Sequence, residues 1–115
     1  MSLSGLLSQD VTVVHPGVST DRYNSTTVDW SSATRRATRG LVQQQDTVEV
    51  AVGRDTVIAD ALLFLAADDP IVSADRVEAA GRTFEVVGEP NTVSTPRGPH
   101  HLEVHLRSIA GQGGF

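Results

Sequence analysis

The sequence predicts an all-β protein, a small antiparallel β-barrel or sandwich with long loops. Three segments support this prediction because they alternate apolar and polar residues, as a strand with one buried face does: residues 47–52, 82–87 and 101–107. Clusters of glycine and proline separate the segments and mark turns. The clearest pattern, DRVEAAGRTFEVVGEP at residues 75–90, has the form of two strands around a tight turn.

The chain of 115 residues has the size of one domain. Aromatic residues make up only 4% of it, so the core must be built from valine, leucine, isoleucine and alanine. We expect a single β-barrel domain over residues 10–111, with a flexible N-terminus at residues 1–9 and a flexible tail at residues 112–115.

The N-terminal half combines short β-branched segments with a long polar stretch. Residues 10–15 predict a first strand that ends at the following Pro-Gly pair. Residues 17–34 are rich in Ser, Thr, Asn and Asp and predict a long polar loop, which Trp30 is expected to anchor on the domain. Residues 35–44 allow a short helix but favour a strand, whereas residues 47–52 alternate as a strand throughout.

The C-terminal half contains the most apolar run and the predicted hairpin. Residues 56–66 suit either a helix or a strand buried on both faces. Residues 76–79 and 82–87 form the hairpin, whose second strand should stop at Pro90 because proline cannot donate to a sheet ladder. A second polar loop at residues 91–100 leads into the last strand. The expected hairpin core consists of Val77, Gly81, Phe84, Val86, Gly88 and Pro90.

The composition excludes several kinds of chemistry. The chain contains neither cysteine nor lysine, which removes thiolate nucleophiles, thiolate metal ligands, Schiff-base chemistry and a Walker-type phosphate loop. A nucleophile elbow of the Gly-x-Ser-x-Gly kind is also absent, although a Ser-His-Asp triad is decided by geometry alone. We expect His100, His101 and His105 to be solvated or at an interface, and we expect no enzymatic activity, catalytic residue, metal or cofactor.

The charge is unevenly distributed along the chain. The net charge of −5 argues against a protein that wraps nucleic acid. Residues 20–40 nevertheless carry four Arg and two Asp, a balance of +2, which leaves −7 on the rest. Patches of opposite sign suit docking between copies or with partners. The candidates for the basic interface are Arg22, Trp30, Arg35, Arg36 and Arg39.

The sequence gives no indication of a membrane protein. No apolar run approaches the ~20 residues of a membrane-spanning helix. The first residues lack the basic and apolar regions of a secretion signal. We therefore expect a soluble protein that is made in the cytoplasm and has no membrane partner.

The order of these features resembles a known family. The motif D-R-V-x(3)-G-x-x-F-x-V-x-G-x-P spans residues 75–90, after Trp30 and the Gly-Leu-Val-Gln-Gln run at residues 40–44. A final alternating strand ends in Ile109-x-Gly111. Over roughly residues 10–111, this arrangement resembles the head-to-tail stopper proteins of long-tailed bacteriophages, which are also called head completion or head closure proteins.

The resemblance implies a homo-oligomeric ring in the virion, at the head-tail interface. Such a ring lies beneath the portal and its adaptor protein, closes the DNA exit channel after packaging, passes genomic DNA without sequence-specific binding, and offers a docking face to the tail terminator protein. The resemblance also implies that the stretch after the Trp strand forms a loop toward the channel. If Asp46, Glu49 and Asp55 lie near such a channel, we expect these acidic residues to repel DNA phosphates. The alternating valines at residues 48–52 also permit a hairpin or pairing with a neighbouring copy. The channel-loop candidates are Gln43, Gln44, Gln45, Asp46, Glu49, Arg54 and Asp55.

Two other functions remain open. Within a virion, the chain would suit a tail terminator or a minor tail protein. Outside a virion, it would suit a small β-barrel nucleic-acid-binding module, whose mark is a set of exposed aromatic residues beside a basic groove. Only Tyr23 and Trp30 are near the arginines in sequence.

Overall fold

The structure is a computed structural model that describes residues 7–109, except for the side chains of residues 45 and 46. All the regular secondary structure in this range is β-strand. Residues 1–6 and the tail at 112–115, for which we expected flexibility, lie outside the described residues, as does the predicted domain end at residue 111. The six strands are β1 (Gln9–Thr20), β2 (Thr26–Val52), β3 (Asp55–Ala66), β4 (Arg76–Ala79), β5 (Arg82–Thr95) and β6 (Gly98–Ser108). The predicted all-β class is therefore confirmed.

The strands close into an antiparallel barrel in the order β1-β2-β3-β6-β5-β4. β2 pairs with β1 along its first half and with β3 along its second half, and β1 closes the ring by pairing with β4. Closure gives each strand of the wall two neighbours, so the wall itself presents no free edge. No helix among the described residues is long and apolar enough to cross a membrane.

The barrel core is aliphatic with a single phenylalanine. Leu102, Val104 and Leu106 of β6 are buried and alternate with more exposed residues, as predicted. The run at residues 56–66 is a strand, so the helix alternative is wrong. It is fully buried on one face only, since Leu62 and Phe64 on its other face are half-buried. The core cluster consists of Val11, Val13, Ala61, Leu63, Leu65, Ile71, Val77, Ala79, Phe84, Val86, Leu102, Val104 and Leu106.

The predicted hairpin at residues 75–90 forms, with its turn in the expected place. Ala80 and Gly81 occupy the turn at φ +53° and +74°, so both central residues of this two-residue turn are left-handed, as hairpin turns that follow the natural strand twist require. Val77 and Phe84 are opposite each other and almost completely buried. Val77, Phe84 and Val86 therefore fill the core, whereas Gly81 is exposed at the turn and Gly88 and Pro90 lie outside the core cluster.

Two oppositely charged residues face each other across this hairpin but do not form an ion pair. Arg76 and Glu85 are register partners. The side chain of Glu85 instead accepts a hydrogen bond from Arg107 on β6, while the guanidinium of Arg76 lies over the ring of Trp30. Arg76 therefore links β4 to β2, and Glu85 links β5 to β6.

Pro90 does not end the return strand, contrary to the prediction. β5 continues to Thr95, and its register with β6 shifts between Val87 and Asn91. A bulge leaves extra residues unpaired, so Gly88 and Pro90 occupy positions where no ladder hydrogen bond is needed. The predicted loop at residues 91–100 is likewise wrong, because most of it forms the outer end of the β5–β6 hairpin.

The predicted loop at residues 17–34 is also strand. β1 passes Pro16 through a register shift between His15 and Gly17 and then pairs with β2 as far as Thr20 and Thr26, which leaves only residues 21–25 as a turn. The prediction failed because most side chains at residues 17–28 are exposed, so no apolar period marks the strands. We call residues 17–30 the first arm.

A second arm is formed by residues 47–59, which belong to β2 and β3. The register of β2 with β3 shifts between Gln44 and Val48 and then continues to Val52 and Asp55 at the tip. This arm does not project freely, since a β-carbon built on Gly88 of β5 would lie 3.5 Å from the side chain of Val50. The second arm therefore rests against β5 near its bulge.

Replacing Phe84 with alanine should lower the free energy of unfolding by about 3–5 kcal/mol, because the ring is 1% exposed and its removal leaves a cavity in the core. Chemical denaturation measures the change. Phe64→Ala is the matched control, since the same atoms are removed from a half-buried site outside the core cluster. Equal losses in the two variants would contradict the assignment of Phe84 to the core.

Replacing Ala80 with asparagine should stabilise the protein by up to about 1 kcal/mol. Alanine is strained at φ +53°, whereas asparagine tolerates this conformation and Asn-Gly is the preferred pair in such turns. Thermal and chemical unfolding measure the gain. Gly81→Ala should have the opposite sign, and a destabilised Ala80→Asn variant would refute this account of the turn.

Candidate docking surfaces

The exposed large apolar side chains lie mainly on the two arms. Contiguous exposed apolar surface is the usual mark of a docking site, whereas scattered residues need no explanation. The first arm carries Val18, Tyr23 and Val28, the second arm carries Val48, Val52 and Ile58, and the β3–β4 connection carries Val72. The barrel fold thus concentrates its uncovered apolar surface in two unlike places.

The tip of the first arm is an ordered turn that carries the most exposed of these residues. One carboxylate oxygen of Asp21 accepts hydrogen bonds from the backbone N–H groups of Tyr23 at 2.8 Å and Ser25 at 2.9 Å. Asn24 takes the left-handed conformation, and its N–H bonds the carbonyl of Asp21. The ring of Tyr23 is 73% exposed and lies 5.1 Å from the guanidinium of Arg22. This tip therefore presents an aromatic ring and a positive charge from a fixed backbone.

The base of the first arm is held against the barrel. The guanidinium carbon of Arg76 on β4 lies 3.9 Å from the centre of the Trp30 ring, within the range of a cation–π contact. Gly17 allows the strands to approach here, because a β-carbon would come within 2.9 Å of the backbone oxygen of Ser32. Trp30 therefore anchors the arm as expected, although the arm is a hairpin instead of a loop.

Sequence analysis missed the role of Asp75, which is 4% exposed and is the charged residue that is most completely covered among those described; the side chain of Asp69 is nearly as covered. The Asp75 carboxylate lies 2.5 Å from Nδ1 of His15 and accepts a hydrogen bond from the backbone of Val72 at 3.0 Å. It thereby ties β1 to the connection that precedes β4. In the sequence, Asp75 stands out only as the first residue of the hairpin motif, and no pattern indicates that it contacts His15.

Three of the predicted interface arginines are paired within the chain. Arg35 bonds Glu78, and Arg39 lies 3.2 Å from Asp10. Arg36 donates two hydrogen bonds to Asp69, at 2.9 and 2.7 Å, and Asp69 also accepts one from the N–H of Ile71. The hydrogen bonds to Asp69 raise the pKa of the Arg36 guanidinium above its ordinary value, against the opposing effect of burial. These three arginines therefore make ion pairs within the chain.

The predicted channel-loop residues belong to β2 and the second arm. Gln43 and Gln44 are exposed on β2, and Glu49, Arg54 and Asp55 are exposed on the arm. The side chains of Gln45 and Asp46 lie outside the described part. Of the alternatives left open for this stretch, the hairpin is the one that the structure shows.

A cleft of ≈ 350 Å³ separates the tip of the second arm from β5 and the β3–β4 connection. Its walls combine apolar side chains with two exposed polar residues, Glu89, which carries a carboxylate, and Ser73, which carries a hydroxyl. The lining residues are Ala51, Val52, Gly53, Ser73, Val86, Gly88 and Glu89.

The histidines show no arrangement of three metal ligands. Nδ1 of His100 lies 2.8 Å from Nδ1 of His101, and His101 contacts Glu103 at 3.1 Å through Nε2. His105 is half-buried on the outer face of β6, with Nδ1 buried and without a hydrogen-bond partner among the described atoms. Across residues 7–109, no group of three or more His, Asp or Glu side chains is placed to hold a metal ion.

Several chains of solved structures share this fold. Protein SF1141 from Shigella flexneri 2a, a solution structure, aligns over 97% of this chain and 100% of its own at a TM-score of 0.66 and 17% identity. A chain from the virion of a native gene transfer agent particle aligns over 91% of this chain and 97% of its own at a TM-score of 0.58 and 13% identity. No family model matches the chain, and no curated protein matches its sequence. At these identities the likeness establishes the fold alone.

Asp69→Asn should lower the free energy of unfolding by about 1–3 kcal/mol, because one of the two hydrogen bonds from Arg36 loses its acceptor and the other loses its charged acceptor, at a side chain that is only 5% exposed. Asparagine keeps the shape and an acceptor for Ile71. The matched control is Asp10→Asn, which removes the carboxylate that pairs with Arg39. This pair is exposed to solvent, so its loss should have little measurable effect. Similar losses in denaturation experiments would contradict the distinction between the two pairs.

Proposed function

We propose that this protein is a structural component of a bacteriophage-type virion, a stopper that forms a ring in the head-tail connector, closes the DNA exit channel and provides the tail docking face. The observation that carries the proposal is the pair of unlike apolar arms on a closed barrel. The fold shared with a chain of a gene transfer agent virion supports it. The order of sequence features around the motif at residues 75–90 supports the stopper role in particular.

The arms suit a protein that assembles with copies of itself. Rings arise from heterologous contacts, in which one patch of a copy meets a different patch of the next. A closed barrel wall has no strand edge to which a second copy could add a strand. Copies would therefore meet through the outer surface of the barrel and through the arms. The first and second arms are two such surfaces. They differ in sequence and in the apolar side chains they expose, although each carries one Arg and two acids, a net charge of −1.

The partners follow from the position proposed for the ring. One face would meet the adaptor below the portal, the other would meet the tail terminator, and genomic DNA would pass through the centre without sequence-specific binding. The exposed acidic residues Glu49 and Asp55 of the second arm suit a surface near DNA that must not adhere to it. This proposed role depends on the shape of the barrel and arms and on the surface charge, and it requires no reaction on a substrate.

A nucleic-acid-binding module is less well supported by the surface. Its mark would be aromatic rings beside a basic groove. Tyr23 and Arg22 meet this description at one point, but Arg35, Arg36 and Arg39 are paired with acids and Trp30 is covered by Arg76. The basic segment of the sequence therefore does not become a basic groove.

The function is tested by locating the protein in particles. Mass spectrometry of purified particles should detect the chain, and electron microscopy should show a ring at the head vertex that disappears when the gene is deleted. Deletion should also leave heads that lose their DNA and lack tails, and the wild-type gene supplied in trans should restore both. A ring on the tail away from the head would favour a tail terminator or minor tail protein, and a chain present in lysates but absent from particles would refute the proposal.

A further inference from the structure

The tip of the first arm has the properties of a preformed binding element. The hydrogen bonds that the N–H groups of Tyr23 and Ser25 donate to the Asp21 carboxylate hold the turn before any partner is present. A fixed turn loses little conformational entropy on binding, and tyrosine combines a large contact area with few rotatable bonds. Because the Tyr23 ring is 73% exposed, it occupies no site within its own chain.

The cleft beside the second arm has complementary properties. Val52 and Val86 provide apolar contacts on its walls, and it is large enough to receive an aromatic side chain. Glu89 at its rim is exposed and has no ion-pair partner among the described side chains. The cleft therefore offers an apolar slot beside a negative charge.

The tip and the cleft each present an exposed charged side chain, and the two have opposite signs: Arg22 on the tip and Glu89 in the cleft. The Asp21 carboxylate, also on the tip, is occupied by hydrogen bonds from the N–H groups of the turn. Arg22 is adjacent to Tyr23, so a tip that places the ring in the cleft brings the guanidinium toward the rim, where Glu89 lies. Complementary charge at the edge of an interface fixes orientation and suppresses wrong partners. Both the shape and the charge of the cleft fit the tip.

A second groove of similar size among the described residues fits less well. It has a volume of ≈ 390 Å³, lies beside the β4–β5 turn and is lined by Asp10 and Glu78. These two acids are already paired with Arg39 and Arg35 of the same chain. This groove therefore offers no comparable negative charge to Arg22.

We propose that Tyr23 of one copy inserts into the cleft between the second arm and β5 of the next copy, with Arg22 of the first copy paired to Glu89 of the second. The contact is heterologous, because the tip and the cleft are different parts of the chain, and its repetition links copies into a closed ring or an open filament. The proposal rests on the ring function proposed above and specifies the contact that builds the ring.

The absence of cysteine from the chain permits a clean cross-linking test. Ser25 lies on the tip and Ser73 lines the cleft, both are exposed, and serine-to-cysteine changes leave Tyr23, Arg22 and Glu89 intact. The Ser25→Cys/Ser73→Cys double variant, treated with a short bis-maleimide in purified particles, should give a ladder of covalent oligomers on denaturing gels. The matched control is Ser25→Cys/Ser94→Cys, in which the second cysteine is exposed on β5 outside the cleft. This control should yield at least tenfold less product above the dimer.

Charge reversal tests the pairing independently of side-chain size. Arg22→Glu alone and Glu89→Arg alone, each in the Ser25→Cys/Ser73→Cys background, should reduce the ladder at least tenfold, and the two reversals together should restore it. Tyr23→Ser should abolish the ladder while leaving the thermal unfolding of the free chain nearly unchanged. Equal ladders from the cleft and control pairs, or no restoration by the double reversal, would overturn the tip-in-cleft contact.

The outcome separates this inference from the proposed function. Particles that contain the chain as a vertex ring but give no ladder overturn the contact and leave the function standing. A ladder from the concentrated purified chain, together with its absence from particles, would support the contact and overturn the function. Absence from particles together with no ladder from the purified chain would overturn both.

Discussion

The short strand β4 closes the barrel, and the rest of the molecule depends on that closure. Only three register pairs join β4 to β1, between Thr12–Val14 and Arg76–Glu78. A four-residue strand can form few backbone hydrogen bonds, so side chains reinforce the junction between β1 and β4, which we call the seam. His15 bonds the buried Asp75 at the entrance of β4, and Arg35 of β2 bonds Glu78. Each of these contacts spans strands far apart in sequence.

The same seam determines how the first arm is carried. Arg76 of β4 lies over Trp30 at the base of the arm, and His15 stands at the register shift where β1 leaves the barrel wall. The arm is thus attached to the strand that closes the barrel. Ionic and cation–π contacts therefore supplement the ladder where the arm joins the barrel. This arrangement would suit the proposed role, in which the arms contact neighbouring copies.

Pairing within the chain divides the charged residues into two groups. Arg35, Arg36 and Arg39 are engaged with Glu78, Asp69 and Asp10, so their charge is largely offset within each copy. Arg22 at the tip and Glu89 at the cleft are different, because each lies beside exposed apolar surface. An interface built from them combines apolar burial with charge complementarity, the usual division of roles between affinity and specificity. The candidate contact is consequently at the ends of the arms and not in the arginine-rich run of the sequence.

The sequence by itself determined the all-β class, the turn at Ala80-Gly81, and the inward faces of the hairpin and of residues 101–107, because local conformation and a two-residue apolar period suffice for these features. Only the tertiary structure decided that residues 17–34 and 91–100 are largely strand, since polar strands exposed on both faces have no apolar period to reveal them. It alone also paired Asp75 with His15 and Arg36 with Asp69, and placed the cleft between β5 and the second arm. Such contacts join residues distant in the chain and depend on barrel closure, which no local pattern encodes.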